Sequence, residues 1–225
     1  MNIQHHPSDD LLVALAAGRL ESGQALLVTV HLDGCSDCRA QLHTLQALGG
    51  VLLDEVTPHS LAAESLNRTL ARISAIPVRT APESAAAPLA HRQSVRPELP
   101  SGVDWPASFN GCQVSRWHWM GPGMRWSRVQ LGHAARGNLF LLRIAPGCNL
   151  PRHTHSDLEL TQVLCGSFND GRAFFGPGDF DAADSSVHHQ PIVQADRECV
   201  CLAYVGGPLR FDSRVAGLIG GWIGL

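Results

Sequence analysis

The chain has 225 residues, 44% of them hydrophobic and 16% charged, with a formal net charge of -3. That balance permits a sizeable core in one large domain or two small ones, and the slight acidity excludes a general affinity for nucleic-acid backbone. Seven cysteines, an odd count without an N-terminal apolar leader, argue against a secreted disulfide framework and for a reducing cytoplasm, where thiolates can serve as metal ligands.

The first 76 residues carry helical periodicity. Ser8 ahead of Asp9 and Asp10 is an N-cap with acidic residues in the first turn, favourable against the helix dipole. Leu11, Leu12, Leu15 and Ala16 follow at helical spacing, and Gly18 ends the segment. A second helix is predicted over about 22–32, with Leu26, Leu27 and Val30 apolar and Gly34 as its end. At its exit stands His31-x3-Cys35-x2-Cys38. Four residues make about one helical turn, so His31 and Cys35 can point the same way, and Cys38 can close on the same point. Imidazole and thiolate are the ligand set of structural zinc. A histidine near the N-terminus, His5 or His6, is available for a fourth position.

A third helix starts near Ser36 and runs through Leu42, Leu45 and Leu48. A fourth covers about 60–75, with Leu61, Leu66, Leu70 and Ile73 apolar and Pro77 just beyond. Four such helices bury little apolar surface, and a metal staple offsets a thin core.

Residues 77–104 are rich in Pro, Ala and Ser, lack a sustained period and read as a linker. From Trp105 onward short β-like runs alternate with Gly and Pro turns: WSRVQLG, NLFLLRIAPG, LELTQVLCGSF, RAFFGPGDF, PIVQ, ECVCLAYVG and PLRF. Many short strands at regular spacing predict a β-sandwich or barrel. Trp105, Trp117, Trp119 and Trp126 are expected to form a packing layer of that barrel, and His43 and His118 to be surface or satisfied core histidines.

The β-like half holds a second constellation, Gly147-x5-His153-x-His155-x3-Glu159-x6-Gly166. Positions i and i+2 of a strand face one side, so His153 and His155 converge, and Glu159 reaches them from the next strand or the turn. Two imidazoles and a carboxylate suit a divalent transition metal. Gly171-x5-Pro177-Gly178-Asp179 follows, and then His188 and His189, one of which supplies a fourth ligand. Cys199 and Cys201 also share a strand face; they read as small buried core residues, with a redox-active pair as the alternative. The apolar tail, Val215 to Leu225, is too short to span a bilayer and reads as a packed or flexible terminus.

These residues resemble the cupin superfamily. The first cupin motif is matched at every spaced position, and the second in its Gly and Pro, with its second glycine shifted to Gly178. This resemblance covers about 105–212 and implies a small β-barrel with a metal at its mouth. The two halves together resemble the ChrR-type zinc anti-sigma factors, through His6, His31-x3-Cys35-x2-Cys38 and the opening HHPSDDLLVALAAG.

The combined resemblance implies an α+β multidomain chain: an all-α zinc-binding anti-sigma domain of about four helices over 1–76, a linker over 77–104, and an all-β cupin-like sensor barrel over 105–225. It implies zinc held by His6, His31, Cys35 and Cys38. It implies a second metal, zinc or another divalent transition metal, held by His153, His155, Glu159 and His189. His189 is preferred because it precedes Gln190-Pro191, as in the family's His-Gln-Pro segment, with His188 as the alternative.

The expected function is that of an anti-sigma factor, not an enzyme. It sequesters an extracytoplasmic-function sigma factor, binds neither nucleic acid directly nor membrane, and releases its partner under oxidative stress such as singlet oxygen. The apolar faces of helices one, two and four, around Leu11, Leu15, Leu27 and Leu66, are expected to pack on the sigma factor. The alternative is a metal-dependent cupin enzyme, dioxygenase or isomerase-like, with the helices as an assembly module; an open coordination position permits it.

Overall fold

The computed structural model describes residues 2–76, 96–132 and 138–211. Among these, four helices come first: α1 (Asp9–Ala16), α2 (Ser22–Gly34), α3 (Ser36–Asp54) and α4 (Ser65–Ser74). Ser8 caps α1, its hydroxyl accepting from the Leu11 N–H at 3.4 Å. Glu21 and Gln24 close a capping box on α2. α4 starts later than the periodicity predicts. Leu61 is strongly exposed and buries nothing, so no packing pins an earlier turn, and short helices depend on packing.

Thirteen strands follow among the described residues: β1 (Gln113–Val114), β2 (His118–Gly121), β3 (Met124–Gln130), β4 (Asn138–Ile144), β5 (His153–His155), β6 (Glu159–Cys165), β7 (Phe168–Asn169), β8 (Phe174–Phe175), β9 (Phe180–Ala183), β10 (His188–His189), β11 (Ile192–Val193), β12 (Cys199–Val205) and β13 (Leu209–Phe211). The main sheet runs β1-β3-β4-β12-β6-β9, with β2 on β3; β10-β5-β13 and β11-β7-β8 form two smaller sheets. The architecture is thus helices followed by a cupin-like β half. Its strands form three sheets rather than one continuously hydrogen-bonded ring.

β12 lies at the centre, paired with β4 and β6, and every residue of it is buried. Its two faces serve two cores. Cys199, Cys201, Ala203 and Val205 face the barrel interior, with Phe140, Leu142 and Val163. Val200, Leu202 and Tyr204 face the helices, with Leu26 and Leu27 of α2. Cys199 and Cys201 are therefore buried core residues, their Sγ atoms 3.5 Å apart.

α2 departs from the expectation of a sigma-facing amphipathic helix. It buries Gly23, Leu26, Leu27, Val28, Val30, His31 and Leu32, nearly all round. A helix buried on all sides packs on two layers at once: here α1 and α3 on one side, β6 and β12 on the other. Leu27 is fully buried, and Leu11 and Leu15 are half-buried against the same core. The expected sigma-binding role of Leu27 is therefore corrected: full burial of a leucine contributes about 1.5–3 kcal/mol, and Leu27 delivers it inside this fold. The thin core of the helices is completed by the sheet.

A glycine fixes this contact. A Cβ on Gly23 would stand 2.6 Å from Cδ2 of Tyr204, whose hydroxyl donates to Glu21 Oε2 at 2.8 Å. Gly23→Ala must displace that ring, and such overpacking costs about 1–3 kcal/mol. Thermal melts of the full chain should show a lowered Tm; an unchanged Tm contradicts the tightness of the α2–β12 seam.

Trp105 and Trp117 pack against the helix-facing core and Trp126 against the barrel core. Trp119 is 73% exposed, so the expected tryptophan layer lacks one member: on β2 its neighbour Met120 takes the inward position. His43 is exposed and His118 half-buried against Trp126. Of the expected linker, 96–104 lies on the protein, with Leu99 and Val103 against the core and Arg96 donating to the Phe109 carbonyl at 2.7 Å. Residues 77–95 and the tail 215–225 lie outside the described residues. Among the described residues no helix is long and apolar enough to cross a membrane.

Candidate metal centres

The first cluster forms where α2 gives way to α3. Cys35 is the C-cap of α2 and the N-cap of α3, with an extended backbone that turns the chain. That turn brings Cys38 back, its N–H pointing at Cys35 Sγ at 3.5 Å. The donor atoms of His6, His31, Cys35 and Cys38 all lie within 4.8 Å of one another. His6 Nδ1 is 3.5 Å from Cys35 Sγ and 3.3 Å from Cys38 Sγ. A nitrogen and a sulfur on one tetrahedral ion stand about 3.5 Å apart, so the cluster already has the dimensions of a coordination shell.

The protonation pattern agrees. His31 Nδ1 faces two oxygens, Gln162 Oε1 at 3.2 Å and the Gly178 carbonyl at 3.1 Å. Both are acceptors, so Nδ1 carries the proton. Nε2 then presents a lone pair, and it is buried without a hydrogen-bond partner. Burial holds the His31 pKa below the usual histidine value, which keeps the ring neutral. The Cys38 thiol is pushed up to about 12 by burial and then by Cys35 beside it; a divalent cation reverses that effect by stabilising the thiolate.

His6 is delivered by a strap on the barrel. The Gln4 and His5 N–H groups donate to Asp179 Oδ1 at 2.7 and 3.0 Å, and the His5 carbonyl accepts from Phe180 N–H at 3.0 Å. His5 itself points elsewhere, with Nε2 on the Phe174 carbonyl at 3.1 Å and its ring on Phe175. Of the two histidines, His6 is the one whose ring nitrogen lies among the donors of the cluster.

The second cluster lies in the barrel. β5 carries His153 and His155, β6 begins at Glu159, and β10 pairs His189 directly opposite His153. His189 Nε2 is 3.1 Å from His155 Nε2 and 3.3 Å from His153 Nε2. Glu159 Oε2 is 3.8 Å from each of His153 and His189 and 2.9 Å from His155 Nδ1. Nitrogen and oxygen ligands about 2.1 Å from an ion stand about 3.0–3.4 Å apart. His188 is exposed and outside the group.

Hydrogen bonding again points the donors inward. His153 Nδ1 faces the Pro151 carbonyl at 2.8 Å, and His189 Nδ1 faces Asp170 Oδ2 at 3.2 Å. Both partners accept, so both rings turn Nε2 lone pairs toward each other across 3.3 Å. Two such lone pairs repel unless a cation lies between them, either a metal ion or a proton on His189; burial would lower the His189 pKa, but Glu159 and Asp170 raise it. His155 Nδ1 and Glu159 Oε2 are both buried and 2.9 Å apart, a close ion-pair contact without hydrogen-bond alignment. Burial alone would raise the Glu159 pKa, but the three imidazoles hold it well below the usual carboxylate range. The residues therefore fit a divalent ion, and both clusters are compatible with metal binding.

Behind His189 stands a carboxylate–arginine pair. Arg172 contacts Asp170 at 2.6 Å and Asp181 at 2.7 Å, so the cation beside these two buried carboxylates is a guanidinium. Burial would raise Asp170, but the N–H groups of Ala173 and Arg172 and then His189 hold it below its ordinary value. It is an ionised acceptor that fixes the His189 tautomer. Losing such an outer partner typically costs about 10–100-fold in metal affinity. Asp170→Asn should lower barrel metal affinity by that factor in chelator competition and spare the His/Cys cluster; wild-type affinity contradicts the role. A cavity of about 30 Å³ adjoins Glu159 and His189, bounded by Leu142, Phe168, Cys199 and Cys201. It is an order of magnitude below the roughly 300–1,000 Å³ of small-molecule pockets.

Residues 109–208 match the family described as the ChrR cupin-like domain. The chain is also 37% identical to the anti-sigma-E factor ChrR of Cereibacter sphaeroides over 221 residues, 97% of each sequence. The chain belongs to the ChrR family. A crystal structure of Rhodobacter sphaeroides SigE in complex with the anti-sigma ChrR matches with a TM-score of 0.66 and 33% identity, covering 91% of this chain and all of that one (100%). An RmlC-like cupin of Ralstonia eutropha matches at 19% identity and a TM-score of 0.37, over 44% of this chain and 68% of the other. ChrR membership makes the chain a regulatory protein rather than an enzyme, and the cupin-enzyme alternative is set aside.

All eight expected ligands of this ChrR-family chain fall into the two clusters. Sequence reasoning missed Gln162, Asp170, Arg172 and Asp179 as their supports. Asp179 was visible only as part of the second cupin motif. The separation of Gln162 from His31, 131 positions, leaves no local spacing to read.

Proposed function

We propose that this ChrR-family chain is a cytoplasmic anti-sigma factor that sequesters an extracytoplasmic-function sigma factor and releases it under oxidative stress such as singlet oxygen. Residues 1–76 hold the partner, the linker expected over 77–104 is confined to its part before residue 96, since 96–104 packs on the core, and the β half senses. His6, His31, Cys35 and Cys38 hold zinc; His153, His155, Glu159 and His189 hold zinc or another divalent transition metal. The observation that carries the reading is the near full-length similarity to an anti-sigma-E factor, joined to a structural match with ChrR in complex with SigE.

The surface chemistry supports it. Leu48, Val51, Leu52 and Leu53 of α3 and Leu66, Leu70 and Ile73 of α4 are all exposed. The α4 residues fall at i, i+4 and i+7, one face of the helix, and α4 buries no residue. Apolar patches of this kind mark docking surfaces. Docking therefore belongs to the second half of α3 and to α4, while α2 ties that unit to the barrel.

The chain's own residues set the geometry. Cys35 fixes the α2–α3 turn, and the His5 strap seats His6 on it. A zinc there supplies a rigid four-point crosslink whose binding energy becomes folding energy. In the barrel, Asp170 and the Pro151 carbonyl hold the imidazoles in one tautomer. Co-expression of the full, metal-loaded chain with an extracytoplasmic-function sigma factor should yield a 1:1 complex; a metal-loaded chain that captures none sinks the reading.

A further inference from the structure

We infer that the barrel supplies the outer shell of the helical metal centre, with Gln162 as the residue that positions His31. This rests on the His6, His31, Cys35 and Cys38 site proposed above and adds a residue from the other half of the chain to it.

Three observations carry the assignment. First, both partners of His31 Nδ1 belong to the barrel: Gln162 Oε1 on β6 and the Gly178 carbonyl in the turn before β9. No helix supplies a Nδ1 partner among the described residues. Second, the Gln162 amide is itself oriented. Its Nε2 donates to the Val163 carbonyl at 3.1 Å, which leaves Oε1 as the atom facing the imidazole. Third, Gln162 is 2% exposed and stands amid apolar core residues such as Leu160 and Leu202. A buried amide is costly unless its bonds are made, and this one makes them to His31 and Val163. Phe180 closes the site from the same side, its ring edge-on to His31 at 5.9 Å.

The physical consequence is directional. A ligand histidine whose far nitrogen donates to an acceptor is fixed in tautomer and orientation, and its donor nitrogen becomes more basic. Gln162 does this for His31 as Asp170 does it for His189. β6 therefore serves both centres. Glu159 faces the barrel cluster, and Gln162, three residues on, faces α2 from the opposite side of the strand, about 10 Å along it. The two centres thus draw on residues of one strand.

The test uses the full chain titrated with Co²⁺ in place of zinc. Only a site with thiolate ligands gives a thiolate-to-cobalt charge-transfer band, so the band reports the Cys35/Cys38 centre apart from the barrel. Gln162→Leu removes the acceptor at similar volume, and Gln162→Glu keeps one. The band of Gln162→Leu should require about 10–100-fold more free Co²⁺ than wild type, and Gln162→Glu should bind more tightly than Gln162→Leu. Wild-type affinity in Gln162→Leu overturns the inference. So does equal weakening of both variants, the signature of a packing role alone. Absence of the band in the wild-type chain would instead overturn the helical metal site itself, so the two failures are distinguishable.

Discussion

Replacing Leu66 and Leu70 together by aspartate should reduce sigma capture by at least about 100-fold, or about 2.7 kcal/mol, without lowering the melting temperature of the free chain. Both leucines are more than half exposed, at 68% and 52%, and α4 buries no residue in the free fold. Surface changes of that sort usually stay within about 0.5 kcal/mol in stability. In a complex, each leucine stands to contribute about 1.5–3 kcal/mol of burial, and each aspartate instead brings a charge that must be desolvated. Binding and folding therefore separate at this face, which they cannot do at Leu27, where substitution damages both. Affinity by calorimetry and thermal melts on the same preparation decide it. Capture that survives the double substitution moves the docking surface off α4.

The second large effect concerns Cys38. Cys38→Ser should empty the helical metal centre, from one equivalent of metal to none, and reduce sigma capture by more than tenfold while the barrel keeps its metal. A hydroxyl is a poor replacement for a thiolate on zinc. The loss is structural as well, since Cys35 and Cys38 close the turn on which the α2–α3 angle depends. Cys165 provides the control: it is equally buried, its thiol is raised by burial, and it lies on β6 outside both clusters. Cys165→Ser should retain both metals. If Cys38→Ser keeps its metal, or Cys165→Ser loses one, the ligand assignment fails.

Much of this was legible in the residues. Periodicity placed the four helices, and the alternation of short apolar runs with Gly and Pro turns placed the longer strands. Part of each ligand set was legible from spacing: His31, Cys35 and Cys38 fall within about two turns, and His153 and His155 share a strand with Glu159 at the start of the next. His6 and His189 are remote from their partners; the residues alone offered His5 or His6 and His188 or His189, and the family resemblance made the choice, with the ring nitrogens of His6 and His189 lying in the two clusters. Relations across layers were not legible. The run CVCLAYV is apolar at every position because β12 has a core on each face, and such a strand carries no alternation to show which side meets what. Likewise α2 is buried nearly all round because the barrel covers the side that an isolated helical domain would leave open. Reading α1 to α4 as a self-contained bundle therefore put Leu27 on the wrong surface. The supports of the two clusters, Gln162 and Asp170, were hidden for the same reason: each acts across sheet pairings or layers that no local spacing encodes.

The central claim is that this chain withholds a sigma factor through its helices under the control of its barrel. Transcription in vitro from a promoter that depends on the extracytoplasmic-function sigma factor tests it most directly, with core RNA polymerase, the sigma factor and the full metal-loaded chain. Transcription should fall in proportion to added chain and end at about one equivalent, then recover on generation of singlet oxygen with the wild-type chain but not with His155→Ala. Unchanged transcription in the presence of excess metal-loaded chain would contradict sequestration, and recovery that persists in His155→Ala would contradict control by the barrel.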